Sequence, residues 1–288
     1  MVSSEQRRKQ LAREKYLRQQ QRRAEARRKG RIRNASIAGG LALVLAVGGG
    51  AYAAAGGLAA DDKKADKASA EPSAPPTSKA PDPCEKPAKG EPSEKHWKKE
   101  PKMSIDTSAT YTMKLETTCG DIEIEMDAAK TPRTVNSFEF LAGEGYLDHS
   151  PCHRLVNQGI YVLQCGDPTG TGTGMSKDGK VQQPGYSIPD ENLDDPKVKK
   201  GTYPAGTVAM ANRYNAQTKE GRDSGGSQFF LVYEDSQLPP DYTPFGTVTE
   251  GMDVLKKIAD AGMTPDPQTG NTKPNATVVI DKATVRKK

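Results

Sequence analysis

Between residues 104 and 288 the chain sets short apolar runs between loops rich in Gly, Pro and Asp. They are Tyr111–Thr117, Asp121–Met126, Ile160–Leu163, Thr207–Ala211, Phe229–Tyr233, Phe245–Val248 and Thr277–Val285. Runs this short, bounded by turn residues, read as strands. Ile122, Ile124 and Met126 alternate onto one face, and Thr118-Cys119-Gly120 turns the first two runs into a hairpin. Only two stretches carry helical spacing. In TPRTVNSFEFLAGEGY, Thr131 stands to cap, Pro132 suits the first helical position, and Val135, Phe138, Leu141 and Ala142 share a face that Gly143 and Gly145 end. In Glu250–Ala261, Met252, Leu255, Ile258 and Ala259 point inward, with Gly262 after the end. Many short strands with two helices predict a mainly β domain, a closed antiparallel barrel whose open ends the helices plug.

The first hundred residues are built differently. Residues 1–34 form a basic tail, with thirteen Lys/Arg against three Glu up to Arg33, a net +10. The whole chain is only +5, so residues 34–288 sum to −5. The basic balance therefore belongs to the tail alone. Residues 35–60 contain no charge, and roughly 20 apolar residues suffice to span a bilayer as a helix. A single transmembrane signal-anchor is expected there. Its glycines argue against the alternative of a buried soluble helix. Lys and Arg stay on the cytoplasmic side, which places the C-terminal part outside the cell membrane. A cleaved signal peptide is the rival, with Ala51-Tyr52-Ala53 as its site, and would make the protein secreted. RNA binding is the other use of such a tail, but anchoring already accounts for the charge, so no nucleic-acid partner is expected.

Residues 61–103 read as a disordered linker, with eight prolines from Pro72 to Pro101 and almost no large apolar side chain. His96 and Trp97 stand out there without an assignable role. Four cysteines on an oxidising face could form two disulfides, with Cys84 in the linker apart from Cys119, Cys152 and Cys165. No CxxC occurs, and His153 beside Cys152 does not by itself make a ligand set, so no metal site is expected.

Familiar catalytic patterns are missing: there is no GxSxG, SxxK or HExxH. Gly170–Gly174 (GTGTG) lacks the following Lys-Ser/Thr of a phosphate cradle and reads as a flexible rim loop. Asp190, Glu191, Asp194 and Asp195 lie between Pro189 and Pro196 and read as a solvated loop rather than a catalytic carboxylate pair. Arg154 differs. If 152–156 pairs with 161–165, Arg154 and Gln164 project to the same side beside Tyr161, and the amide oxygen can orient the guanidinium. A structural arginine satisfied by backbone carbonyls fits the spacing equally well.

Taken in order, HRL, IYVLQCGDPTGTGTG, PDE, GTVAMAN, GGSQFFLVY and FGTVTEGMDVLKKI resemble a cyclophilin-type peptidyl-prolyl cis-trans isomerase in its membrane-anchored bacterial form, over about Tyr111–Val285. The resemblance implies an eight-stranded antiparallel barrel capped by two helices. It gives Arg154 the role of catalytic arginine and Gln164 that of its support. Tyr161, Val162, Phe230 and Leu238 then line a proline pocket, and Ala211 and Asn212 form the edge that pairs with substrate backbone. Tyr242 stands where many members carry histidine, and Phe229 belongs to the core. The implied partners are proline-containing segments of exported or cell-envelope proteins, and no cofactor is needed. A proline-peptide-binding or chaperone module with little turnover is the alternative.

The chain also departs from the family. Two extra residues sit between Arg154 and Gln164, where Asn157-Gln158-Gly159 replaces a Pro-Gly turn, so Tyr161 and Val162 are placed by counting back from Gln164. Gln237 replaces the tryptophan of cyclosporin-sensitive members, so weak cyclosporin binding is expected. Leu193–Gly201 and Tyr214–Gly221 are longer loops than the minimal pattern. Cys152 and Cys165 flank the Arg154/Gln164 hairpin and could pair across it or remain two buried thiols.

Overall fold

The structure, a computed structural model, describes residues 81–288 apart from 177, 180–182 and 267–270. The tail at 1–34, the span at 35–60 and the first part of the linker lie outside the described residues. Among the described residues no helix is long and apolar enough to cross a membrane.

The first hairpin forms as its alternation requires. β1 (Tyr111–Thr117) pairs with β2 (Gly120–Met126) from Tyr111↔Met126 to Thr117↔Gly120. Gly120 takes a φ of 131°, a conformation that disfavours any side chain. The helix α1 (Pro132–Gly143) buries Val135, Phe138, Leu141 and Ala142 as its spacing predicts. Its N-terminus is capped differently from the expectation. The Thr131 hydroxyl donates to the Asp127 carbonyl at 2.7 Å. The Glu191 carboxylate instead accepts the amides of Arg133 (3.1 Å) and Thr134 (2.9 Å) and the Thr134 hydroxyl (2.7 Å). An anion suits this end of a helix, where unpaired N–H groups collect. Glu191 is therefore no solvated loop residue.

The chain continues through β3 (Ser150–Pro151), β4 (Arg154–Gln158), β5 (Ile160–Cys165), β6 (Thr202–Tyr203), β7 (Thr207–Met210), β8 (Phe229–Val232), β9 (Ser236–Gln237) and β10 (Pro244–Glu250). It ends with helix α2 (Met252–Asp260), strands β11 (Met263–Pro265) and β12 (Thr272–Pro274), and the long β13 (Val279–Lys287). In α2, Leu255 and Ile258 are buried, while Met252 and Ala259 are only half-buried.

Nine strands form one sheet in the order β3-β13-β1-β2-β10-β7-β8-β5-β4, antiparallel at every pairing. The expected closed eight-stranded barrel is corrected in two respects. The ninth strand is the two-residue β3, and the hydrogen-bond ladder does not join β3 to β4. The sheet curls instead until its two edges lie within one short piece of chain, since only Cys152 and His153 separate Pro151 from Arg154. Their amides complete the seam: Cys152 N–H donates to Val278 O on one side (2.9 Å) and His153 N–H to Gln164 O on the other (3.1 Å).

Inside the curl, Met113, Leu115, Ile122, Ile124, Leu155, Leu163, Phe229, Leu231 and Phe245 form the main core with α1. Phe138 stacks on Phe245 at 4.8 Å and meets Phe229 edge-on at 5.5 Å. β8 is buried on both faces. Period two sends Phe229 and Leu231 inward, and Phe230 and Val232 outward into a second apolar cluster with Val162, Ala209, Val198 and Tyr203. That outer cluster positions the site.

The segment after Pro81 also departs from the expectation of a disordered linker up to residue 103. It lies along the domain as a strap, fastened by a Cys84–Cys119 disulfide and by Glu85 N–H donating to Thr118 O at 2.8 Å. Its few contacts are covalent, polar and aromatic, so composition alone does not signal them.

Candidate active site

The site begins with a cross-strand pair. Arg154 on β4 stands opposite Gln164 on β5, and its Nη1 donates to Gln164 Oε1 at 3.2 Å. The amide's other end donates from Nε2 to Gln228 Oε1 at 2.8 Å, so the glutamine is held at both ends. The arginine is half-buried, and loss of solvent pulls its pKa below the ordinary value, partly offset by Tyr242 beside it. A guanidinium remains charged regardless, so the arrangement presents a fixed cation at the edge of an apolar patch.

Gln164 also stands opposite Phe230 on β8, and Phe230 opposite Ala209 on β7. Phe230 is 5% exposed and Val162, two residues before Gln164 on the same face, is 2% exposed. Around them pack Val156, Ile160, Ala211, Leu238 and Tyr242. Tyr242 meets Phe230 edge-on at 5.5 Å. Tyr242 is itself fixed by Tyr203, whose hydroxyl donates to Tyr242 O (2.8 Å) and accepts Tyr242 N–H (3.2 Å).

The structure thus brings together Arg154, Gln164, Val162, Ala211, Phe230, Leu238 and Tyr242. Tyr161 is not among them. It pairs with Asn157 rather than with Gln164's face, and its ring meets Tyr233 at 5.9 Å. Alternation along β5 makes this unavoidable once Gln164 faces the site, and Ile160 takes the place in the cluster. Sequence reasoning also missed Tyr203, Gln228 and Val198. Val198 comes from the longer 193–201 loop, whose lack of periodicity gave no signal. Gln228 was available in GGSQFF as the polar residue two before the pocket phenylalanine, and so on the same face of the strand.

Asn212 serves the opposite rim. Its Nδ2 donates to Asp241 O (2.7 Å) and Asp190 Oδ1 (3.4 Å), while Ala211 N–H donates to Gln228 O (3.0 Å). Arg222 pairs with Asp241 and with Asp190 at 3.4 Å, and its guanidinium lies 3.4 Å over the Tyr214 ring. Asp190 is consequently an internal ion-pair partner, not a solvated carboxylate. Asp195 is likewise buried, receiving Asn192 Nδ2 at 2.9 Å and the Lys197 amide at 2.9 Å.

The glycine-threonine loop is fastened rather than free. Buried Asp167 accepts the amides of Thr169 (2.9 Å) and Gly172 (2.8 Å) and the Thr169 hydroxyl (2.7 Å). Gly172, Thr173 and Gly174 then line a cavity of about 120 Å³ with Gln164, Asn212, Gln183 and Gln228. Larger cavities of about 670 and 270 Å³ lie elsewhere, between the strap and α1 and beside β2, and neither is lined by Arg154, Gln164 or Phe230. Cys152 and Cys165 are joined, with Cα atoms 4.1 Å apart, so the seam behind Arg154 is covalently locked. His153, between Cys152 and Arg154, is 6% exposed, and burial pulls its pKa down to about 4.

Residues 112–285 match the family described as cyclophilin type peptidyl-prolyl cis-trans isomerase/CLD. The chain belongs to that family. Every cyclophilin-site residue named above falls inside the matched region, and the strap falls outside it. A Mycobacterium leprae protein named probable peptidyl-prolyl cis-trans isomerase B is 43% identical over 164 residues, covering 54% of this chain and 50% of that one. A Mycobacterium tuberculosis protein of the same name is 40% identical over 181 residues, covering 60% and 53%. The chain spans about half the length of these relatives. The peptidyl-prolyl cis-trans isomerase B of Bacillus subtilis is 38% identical over 140 residues, covering 48% of this chain and 83% of its own. A crystal structure of a Cryptosporidium parvum cyclophilin type isomerase has a TM-score of 0.48 at 26% identity, covering 62% of this chain and 98% of that chain.

Proposed function

We propose that this cyclophilin-family chain is a peptidyl-prolyl cis-trans isomerase acting on exported or cell-envelope proteins. The observation that carries the reading is the Arg154 guanidinium, held by Gln164 at the edge of the Phe230, Val162, Leu238 and Tyr242 cluster. Partial C–N double-bond character sets a barrier of roughly 18–20 kcal/mol, and an X-Pro bond turns in tens to hundreds of seconds. Turnover at about 10³ s⁻¹ would be about 10⁵-fold faster, a barrier lowered by about 7 kcal/mol. In the twisted transition state the prolyl nitrogen becomes pyramidal and accepts a hydrogen bond that the planar amide refuses. Arg154 donates that bond only then, which makes it differential binding. One preorganised donor in a water-poor site contributes ~3–4 kcal/mol. The apolar cluster grips the ring and favours the less dipolar twisted amide for the remainder. Neither nucleophile nor proton transfer enters this scheme.

The relatives named peptidyl-prolyl cis-trans isomerase B support the reaction class. For location, our reading is a single-pass anchor at residues 35–60 with the N-terminus cytoplasmic. The disulfides Cys84–Cys119 and Cys152–Cys165 fit an oxidising compartment outside the membrane. The decisive experiment is a protease-coupled X-Pro peptide assay on the full chain beside Arg154→Ala. Activity in the first and its near-loss in the second is expected. Equal rates would overturn the mechanism, and peptide binding without turnover in either would favour a proline-peptide-binding module.

A further inference from the structure

The strap lies outside the family-matched region, yet it reaches the site along two converging routes. Trp97 is the anchor. Its ring meets Phe140 edge-on at 4.9 Å and Tyr146 at 5.5 Å, and its backbone N–H donates to Pro184 O at 2.9 Å. The approach to the 184–185 backbone is so close that a Cβ on Gly185 would overlap the Trp97 carbonyl oxygen. The fully buried Tyr146 in turn donates its hydroxyl to Gln183 Oε1. One route from Trp97 therefore runs through the Pro184 backbone and the other through the Tyr146 ring. Both end on Gln183.

Gln183 is 7% exposed. Its N–H donates to Gly174 O at 2.8 Å, and its side of the chain lines the 120 Å³ cavity onto which Gln164 and Gln228 open. Its carbonyl oxygen presses on Gly226 where a Cβ would otherwise stand. Gly226 is two residues before Gln228, which accepts from Gln164, which accepts from Arg154. A shift of Gln183 is thus passed to the group that orients the guanidinium.

We infer that Trp97 is a positioning residue for the isomerase site, fixing Gln183 through Pro184 and Tyr146 and thereby the Gln228–Gln164–Arg154 chain. The inference rests on the isomerase reading above. It makes the strap from Cys84 to Met103 part of the working unit, although the family match begins at residue 112. Because Trp97 lies away from Phe230 and Val162, its loss should act on the donor's aim and not on the grip of the proline ring.

The test compares the full wild-type chain with Trp97→Ala, Trp97→Phe and Tyr146→Phe, each well below its own unfolding midpoint. Turnover is measured on an X-Pro peptide, together with the affinity for that peptide. Since small misplacements of a catalytic group carry large rate costs, Trp97→Ala and Tyr146→Phe should lower kcat roughly 3- to 10-fold with peptide affinity within about twofold. Trp97→Phe should restore most of the rate. A Tyr146→Phe chain at the wild-type rate, or a Trp97→Ala chain whose only change is a lower midpoint, overturns the inference. If Trp97→Ala does not fold, Tyr146→Phe decides alone. If the wild type shows no turnover, the isomerase reading fails separately. The side-chain amide NMR signals of Gln164 and Gln228 then decide, and their staying fixed in Tyr146→Phe sinks the positioning role.

Discussion

Gln164 lies directly across the ladder from Arg154, accepting from its Nη1 at 3.2 Å while donating to Gln228 at 2.8 Å. A glutamine tied at both ends cannot rotate to release the guanidinium without breaking the second bond, so the pair acts as one aimed donor.

Removing the donor and removing its aim should therefore differ in size. Arg154→Ala is expected to lower kcat/KM by about 10²–10³, the usual cost of losing one preorganised donor. Gln164→Leu leaves the charge but frees its direction, and roughly a tenfold loss is expected. Both are checked in the peptide assay with circular dichroism to show that the fold is retained. A Gln164→Leu loss as large as that of Arg154→Ala would mean that glutamine does more than orient.

The strands, both helices and the Arg154–Gln164 pairing were legible because alternation and helical spacing act over a few residues. Tyr161 was misplaced because counting back from Gln164 ignored the pleat, which puts odd-offset residues on the other face. Tyr203 contributes through Tyr242, thirty-nine residues on, and no local pattern reports such a contact. The strap escaped notice for a different reason. Its attachment depends on one disulfide, one tryptophan, backbone bonds and scattered polar pairs such as Glu100 with Arg133 and Lys95 with Glu144, while its composition is that of a disordered segment. The open edge between β3 and β4 was not legible, since the seam there is made by the amides of Cys152 and His153 and not by a strand pairing that a sequence pattern reports.

His153 should make stability fall in mild acid. Burial is the main cause of its lowered pKa, with Arg154 acting in the same direction and Asp167 opposing. The folded value is about 4 against an ordinary 6.5, so the unfolded chain binds the proton first. Stability is complete above about pH 6.5 and declines as the pH falls toward 4, by up to about 3 kcal/mol at 1.36 kcal/mol per unit. Urea midpoints of the wild type and His153→Leu across this range check it. The variant should lack the part of the decline that lies above the carboxylate range, and parallel curves would rule the histidine out.

The folded unit should include the Cys84 strap and not start at residue 104. The Cys84–Cys119 bridge closes a separation of 35 residues and Cys152–Cys165 one of 13. In the chain-entropy account these correspond to about 4 and about 3 kcal/mol, the longer loop contributing more. A 104–288 fragment loses the first bridge and the Trp97 contacts with Phe140 and Tyr146 together. Its urea midpoint should fall below that of an 81–288 fragment, and by more than in a Cys84→Ser/Cys119→Ser variant of the longer fragment. Equal midpoints for the two fragments would show that the strap merely rests on the domain.

Cyclosporin should bind weakly. By its resemblance to the family, Gln237 stands where cyclosporin-sensitive members carry tryptophan. It is exposed on β9, its Nε2 donating to Thr202 Oγ1 at 3.0 Å, so it offers a polar side chain already engaged with its neighbour. Leu238 beside it does pack on the apolar cluster, which leaves the proposed proline-binding surface intact while the adjoining apolar contact is missing. Gln237→Trp should therefore tighten cyclosporin roughly tenfold or more, in keeping with the 1–3 kcal/mol typical of a buried apolar group, while changing peptide turnover little. Titration calorimetry on both proteins separates the outcomes. Nanomolar inhibition of the wild type would place the cyclosporin contact on other residues of this rim.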